Sequence, residues 1–149
     1  EAMLGLSFEH LYSERVVMAD RPGHPLLDEH GFNLGMIEPY QTLMPTPDSV
    51  IRRHVDRLLL AHGITRLRDE VETVSNAFGR SYIRQTDAVW IISEGVVAED
   101  VADGLLALLP VDTSETLGPV GLTTRTDTTQ TLAATAFMQA VRLAAERLR

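Results

Sequence analysis

Short apolar runs alternate with helical stripes along most of the chain, and this alternation constrains the fold more than any other feature. Residues 16–19, VVMA, make a brief apolar run closed by the Pro- and Gly-rich DRPGHPLLDEHG, which reads as a buried strand. Residues 34–38 read as a short connection, and residues 40–44, YQTLM, as the next strand. Over residues 49–62, Val50, Ile51, Val55, Leu58 and Leu59 fall on one stripe of a helix, with Ser49 or Asp48 as N-cap and Gly63 as the stop. Residues 69–74, DEVETV, alternate as a strand does, and Ser75 can cap a second helix. AVWIISEGVV at 88–97 reads as a strand, AEDVADG as a short helix ended by Gly104, and LLALLPV at 105–111 as a further strand. A strand at about 119–125 precedes a long helix over 128–149, with Leu132, Ala136, Ala140, Ala144 and Leu148 on one face. Strands alternating with helices predict an α/β fold with a mostly parallel sheet flanked by helices.

Composition narrows the function. The chain has 149 residues, enough for one ordinary core, and its apolar content of 44 % is that of a globular protein. Its net charge is −8, which makes it a poor candidate for gripping DNA by counterion release. Cysteine is absent, which excludes disulfides and thiolate metal sites and fits a cytoplasmic setting. No run approaches the roughly 18 apolar residues of a membrane span, and there is no basic-then-apolar leader. The first residue is Glu1, so the chain reads as cut from a longer protein.

Two strand-to-helix turns concentrate the polar chemistry. In α/β folds ligands bind beyond the carboxyl ends of strands, beside helix N-termini. Thr46 and Ser49 stand in the first such turn, in LMPTPDSVIRRHVDRLLLAHG, and Thr73 and Ser75 in the second. A helix N-terminus offers unpaired N–H groups and partial positive charge, a seat for a carboxylate or phosphate. Arg52 or Arg53 could add a charge-assisted bond. The competing reading is a capped helix whose Arg52 pairs with Asp56 one turn on. Ser75 likewise suits a cap, with Phe78 either an apolar wall or a core residue.

Signals for catalysis are thin. The five histidines show no metal-binding spacing, and no nucleophile elbow, P-loop or dinucleotide fingerprint occurs. Glu94 could be an acid or base but has no evident partner, and Trp90 reads as core. No cofactor is implied.

LYSERVVMADRPGHPLL, with its His24-Pro25-Leu26 turn, resembles the entry to the second effector subdomain of LysR-type transcriptional regulators. SVIRRHVDRLLLAHG, VETVSNAF, DAVWIISEGVV and GLLALLP are similar to the units that follow, and GPVGLTTRTD with the long helix to the return toward the first subdomain. The wording looks closest to the subgroup controlling aromatic-acid catabolism, protocatechuate breakdown included, with some likeness to a regulator of a sugar-binding protein.

The resemblance implies a fold like type 2 periplasmic binding proteins. Residues 10–111 would form the second effector subdomain. Residues 1–9 and 112–149 would be hinge and segments of a first subdomain that is mostly absent. It also implies a small-molecule effector, an organic acid, in the crevice between subdomains, held by Thr46, Ser49, Val50, Ile51, Arg52, Ser75 and Phe78. It implies a homo-oligomer without membrane contact, reaching operator DNA only through an N-terminal domain outside this chain. A transporter's solute-binding protein, or a small α/β enzyme using Glu94 or His54, are the alternatives.

Overall fold

The computed structural model describes residues 4–148. In chain order the strands are β1 (Leu6–Glu14), β2 (Val16–Asp20), β3 (Thr42–Met44), β4 (Glu70–Glu72), β5 (Val89–Ser93), β6 (Ala107–Leu108) and β7 (Gly118–Arg125). The helices are α1 (Arg52–Ala61), α2 (Asn76–Gln85), α3 (Glu94–Ala102) and α4 (Leu132–Ala145). They divide into two units. The larger runs from Arg15 to Leu117, and the smaller consists of the chain before and after it.

The larger unit is a five-stranded sheet in the order β4-β3-β5-β2-β6. β3 runs parallel to β4 and β5, while β2 is antiparallel to both β5 and β6. Four strands therefore share one direction and β2 alone opposes them. Both faces are covered at β2, β3 and β5, which is why these strands read as mostly apolar runs, whereas edge strand β4 exposes Glu70 and Glu72. Val16 and Met18 of β2, Met44 of β3, and Val89 and Ile91 of β5 pack against Val55, Leu58 and Leu59 of α1. The intervening residues, Val17, Ala19, Leu43 and Trp90, face the other way onto Ile83 of α2 and Val97 of α3.

Several boundaries differ from the sequence reading. α1 begins at Arg52, and its N-cap residue Ile51 is helical in φ and ψ, so neither Asp48 nor Ser49 caps it. Prolines at 45 and 47 hold the preceding backbone in a separate turn, closed by Ser49 N–H on the Thr46 carbonyl. β5 stops at Ser93, and EGVV opens α3 instead of extending the strand. Its valines suit either state, and the chain turns where Glu94 reaches Arg15. α4 is shorter than expected, capped by Thr131 and ending in a 3-10 turn at Glu146–Leu148; Arg149 lies outside the described residues. Gly63 and Gly104 do stop their helices, at φ values of +78° and +69°.

The smaller unit pairs β1 with β7 in an antiparallel ladder, interrupted by a bulge between His10 and Tyr12. β1 was absent from the sequence reading, because LSFEHLYSE carries little apolar weight. α4 packs on β1, where Arg142 donates two bonds of 2.8 Å to the Glu9 carboxylate. The face of α4 turned inward is Ala134, Met138, Val141 and Ala145, not the expected Leu132-to-Leu148 stripe. Leu132 and Phe137 are 91 % and 67 % exposed.

Candidate functional site

Because β3, β4 and β5 are parallel, their carboxyl ends meet at one edge of the sheet, and each leads into a helix. The turn after β3 brings Pro45, Thr46, Ser49 and Ile51 to that edge. The turn after β4 brings Thr73, Val74 and Asn76, and the end of β5 brings Ile92 and Ser93. Together they line a cleft of about 240 Å³. Its polar groups are hydroxyls and one amide, and no charged side chain lines it. The Ser49 and Arg52 N–H groups are taken by the carbonyls of Thr46 and Ser49, whereas those of Val50 and Ile51 meet no acceptor among the described residues. Neutral donors beside three helix starts make a setting suited to a small anion or polyol.

The expected site residues divide by position. Thr46, Ser49 and Ile51 line the cleft. Val50, 86 % exposed, does not line it. Ser75 is occupied as the N-cap of α2, its hydroxyl accepting from the Phe78 N–H at 3.2 Å, while its neighbours Thr73, Val74 and Asn76 do the lining. Phe78 is neither wall nor core: it is 42 % exposed and stacks on Tyr82, with ring centroids 5.1 Å apart. Asn76 and Ser93 are residues the sequence reading does not place in the site, whereas Thr73 stands in the second turn it singles out. The signal for them is shared position, at the carboxyl end of a strand or in the first turn beyond.

Arg52 faces elsewhere. Its guanidinium donates to Asp56 at 2.8 Å, Glu72 at 2.8 Å, Glu70 at 3.3 Å and the Pro45 carbonyl at 2.7 Å. It ties α1 to β4 and to the turn that shapes the cleft, with four of its five donors engaged there. Glu94, the candidate acid or base, is held by Arg15 through two bonds of 3.0 and 3.1 Å. His54 lies on α1, outside the cleft lining. No group of three or more His, Asp or Glu able to hold a metal occurs among the described residues.

The family description "LysR substrate binding domain" matches residues 2–146. The chain belongs to the LysR substrate-binding domain family. Its fold is accordingly the type 2 periplasmic-binding-protein-like one. Among relatives, the HTH-type transcriptional regulator PcaQ of Agrobacterium fabrum is 53 % identical over 148 residues, which cover 99 % of this chain and 48 % of that protein. The chain thus spans about half the length of the curated relatives it matches. Among solved structures, the effector-binding domain of QuiR in complex with shikimate superposes with a TM-score of 0.72 at 14 % identity, over 99 % of this chain and 68 % of that one. The regulatory domain of Synechocystis CcmR in complex with 2-PG gives 0.71 at 15 % identity, over 97 % and 69 %. Both superpositions show the same fold as this chain. Among the described residues no helix is long and apolar enough to cross a membrane.

Proposed function

We propose that this chain is the effector-sensing part of a LysR-type transcriptional regulator, and that it senses a small organic acid, an intermediate of aromatic catabolism. The observation that carries the reading is the cleft beyond β3, β4 and β5, an apolar-walled hollow edged with hydroxyls and, among the described residues, free of charged side chains, at the place where open α/β sheets take ligands. The acid's carboxylate would sit over the N–H group of Ile51, with Ser49 and Thr46 donating from the side. Thr73, Asn76 and Ser93 would engage its remaining polar groups, and Ile51, Val74 and Ile92 its carbon skeleton. The 53 % identity to PcaQ supports the aromatic class.

In this reading the residues from Arg15 to Leu117 are the second effector subdomain. The smaller unit belongs to the first subdomain, whose other segments lie outside this chain. The ligand is bound and not transformed, because Glu94 is held by Arg15 and no nucleophile is activated in the cleft. Signalling is by population shift. The acid binds one arrangement of the two subdomains more tightly, and that difference biases a homo-oligomer presenting N-terminal DNA-binding domains to the operator. Arg52 takes a structural role, fixing the turn from behind.

The test is a thermal-shift screen of benzoates, hydroxybenzoates and unsaturated dicarboxylic acids against the full-length regulator, followed by calorimetry on the best acid. Ser49→Ala should weaken that acid about tenfold, the worth of one charge-assisted bond. Unchanged affinity in both Ser49→Ala and Thr46→Ala, or no acid bound at all, would overturn the assignment.

A further inference from the structure

We propose that Asp20, buried beside His24, stays a neutral carboxylic acid in the native fold, and that loss of its proton loosens the end of the sheet where β2 turns toward β3. The pair lies on the sheet face covered by α1. Asp20 has the same strand parity as Val16 and Met18, which belong to that core. Both residues have 0 % exposure.

Neither oxygen of Asp20 has a hydrogen-bond partner, and the Thr42 hydroxyl on β3 is likewise buried and unpartnered. A carboxylate stripped of water and given no donor is among the costliest groups a core can hold; its protonated form is far cheaper. His24 lies beside it, with Nδ1 3.7 Å from Asp20 Oδ2, beyond hydrogen-bond distance. That nitrogen is already an acceptor, taking the Leu26 N–H at 3.1 Å, and Nε2 faces the Asp87 carbonyl at 3.0 Å. These partners assign the neutral tautomer with its proton on Nε2. His24 therefore has no proton to give Asp20, and its single Nδ1 lone pair is already taken, so the imidazole offers the carboxylate no compensation for its lost water.

Few charges oppose this. Among the described residues Arg21 is the cation that acts on Asp20, and its guanidinium is committed to Asp87 at 2.8 Å and the Gly23 carbonyl at 3.0 Å. β5 presents Val89 to this region, β6 pairs Ala107 with Asp20, and Tyr40 packs its ring on His24. α2 and α3 cover the opposite face, where Arg80 and Arg84 bind Asp100. Burial accordingly pushes the Asp20 carboxyl up to about 7, against the pull of Arg21.

The sign follows from linkage. Between the ordinary carboxylate value near 4 and about 7, the folded chain holds a proton that the unfolded chain has released. Stability from this group is complete below that window and declines as pH rises through it. The larger unit, which carries the cleft, would thus lose stability toward neutrality because of one aspartate.

Thermal midpoints of the chain at pH 5 to 8, for wild type and Asp20→Asn, test this. The wild-type midpoint should fall across the range, and the fall should be at least halved in Asp20→Asn, which is neutral at every pH. An identical fall in both would overturn the proposal. Should the variant fail to fold, carboxyl carbon NMR of the wild type decides: an Asp20 midpoint near 7 upholds the proposal, and one near 4 overturns it.

Discussion

Gly79 of α2 lies flat against the indole of Trp90 on β5, so close that a Cβ at position 79 would stand 2.5 Å from Trp90 Cζ2. This contact sets how deeply α2 settles on the sheet. It therefore also sets where Asn76, in the first turn of α2, meets Ser93 at the end of β5. Gly79→Ala must push the helix outward or tilt the indole, and overpacking of this kind costs about 1–3 kcal/mol. Urea unfolding should show that loss, with the single Trp fluorescence reporting a changed ring environment. A variant as stable as wild type would mean that α2 packs otherwise.

Arg52 should behave as a structural brace. Its side chain is only 16 % exposed and reaches four oxygens, whereas Asp56 is 56 % exposed and contributes one of them. Arg52→Ala should cost about 2 kcal/mol, and Asp56→Ala less than about 0.5 kcal/mol, as exposed i,i+4 pairs do. Chemical denaturation of the two variants measures the contrast, and equal losses would contradict the bracing role.

Asp100 links α2 to α3 by accepting from Arg80 and Arg84. The hydrogen bond from Arg80 is the main reason its carboxyl is held below the usual carboxylate range. A lowered value in the fold means stability that is present above the unfolded value near 4 and lost as pH falls below it. Asp100→Asn should cost about 1 kcal/mol at pH 7, a modest figure because both guanidinium groups are more than a third open to water. The gap to wild type should narrow steadily as pH falls below about 4; a gap of unchanged size from pH 7 down to pH 3 would contradict this account.

Gly121 of β7 faces the bulge in β1, where a Cβ would lie 2.0 Å from the Glu9 carbonyl oxygen. Gly121→Ala should break the ladder locally, and amide exchange along β1 should accelerate while β2 and β5 keep their protection. Unchanged exchange in β1 would show that the strand accommodates the methyl group.

What was legible from sequence follows the strength of local signals. Ser75 as a cap, Gly63 as a stop and the buried run Val89, Trp90 and Ile91 are each set within a few residues, and each is found in the structure. β1 was not legible because a strand of mixed polarity exists by virtue of its partner, here β7 across more than 100 residues of chain. The start of α1 was misplaced for a related reason. Ser49 looks like a cap in isolation, but Arg52 anchors the Pro45 carbonyl and helical structure begins only there. The same logic governs the cleft. Thr46 and Ser49 are visible from the turn alone, whereas Ser93 joins them only once β3 and β5 are known to be parallel neighbours. Nothing local distinguishes Ser75, which caps, from Asn76, which lines the cleft.

The central claim is that the hollow beyond β3, β4 and β5 receives a small organic acid. Amide NMR of the isotopically labelled protein, titrated with the best acid from the screen, tests it most directly. The account predicts shifts concentrated at Ser49, Val50, Ile51, Thr73 and Ser93, saturating with one affinity. Shifts confined to other surfaces, such as the groove between Leu59, Ile64 and Arg66, with those five amides unmoved, would contradict it.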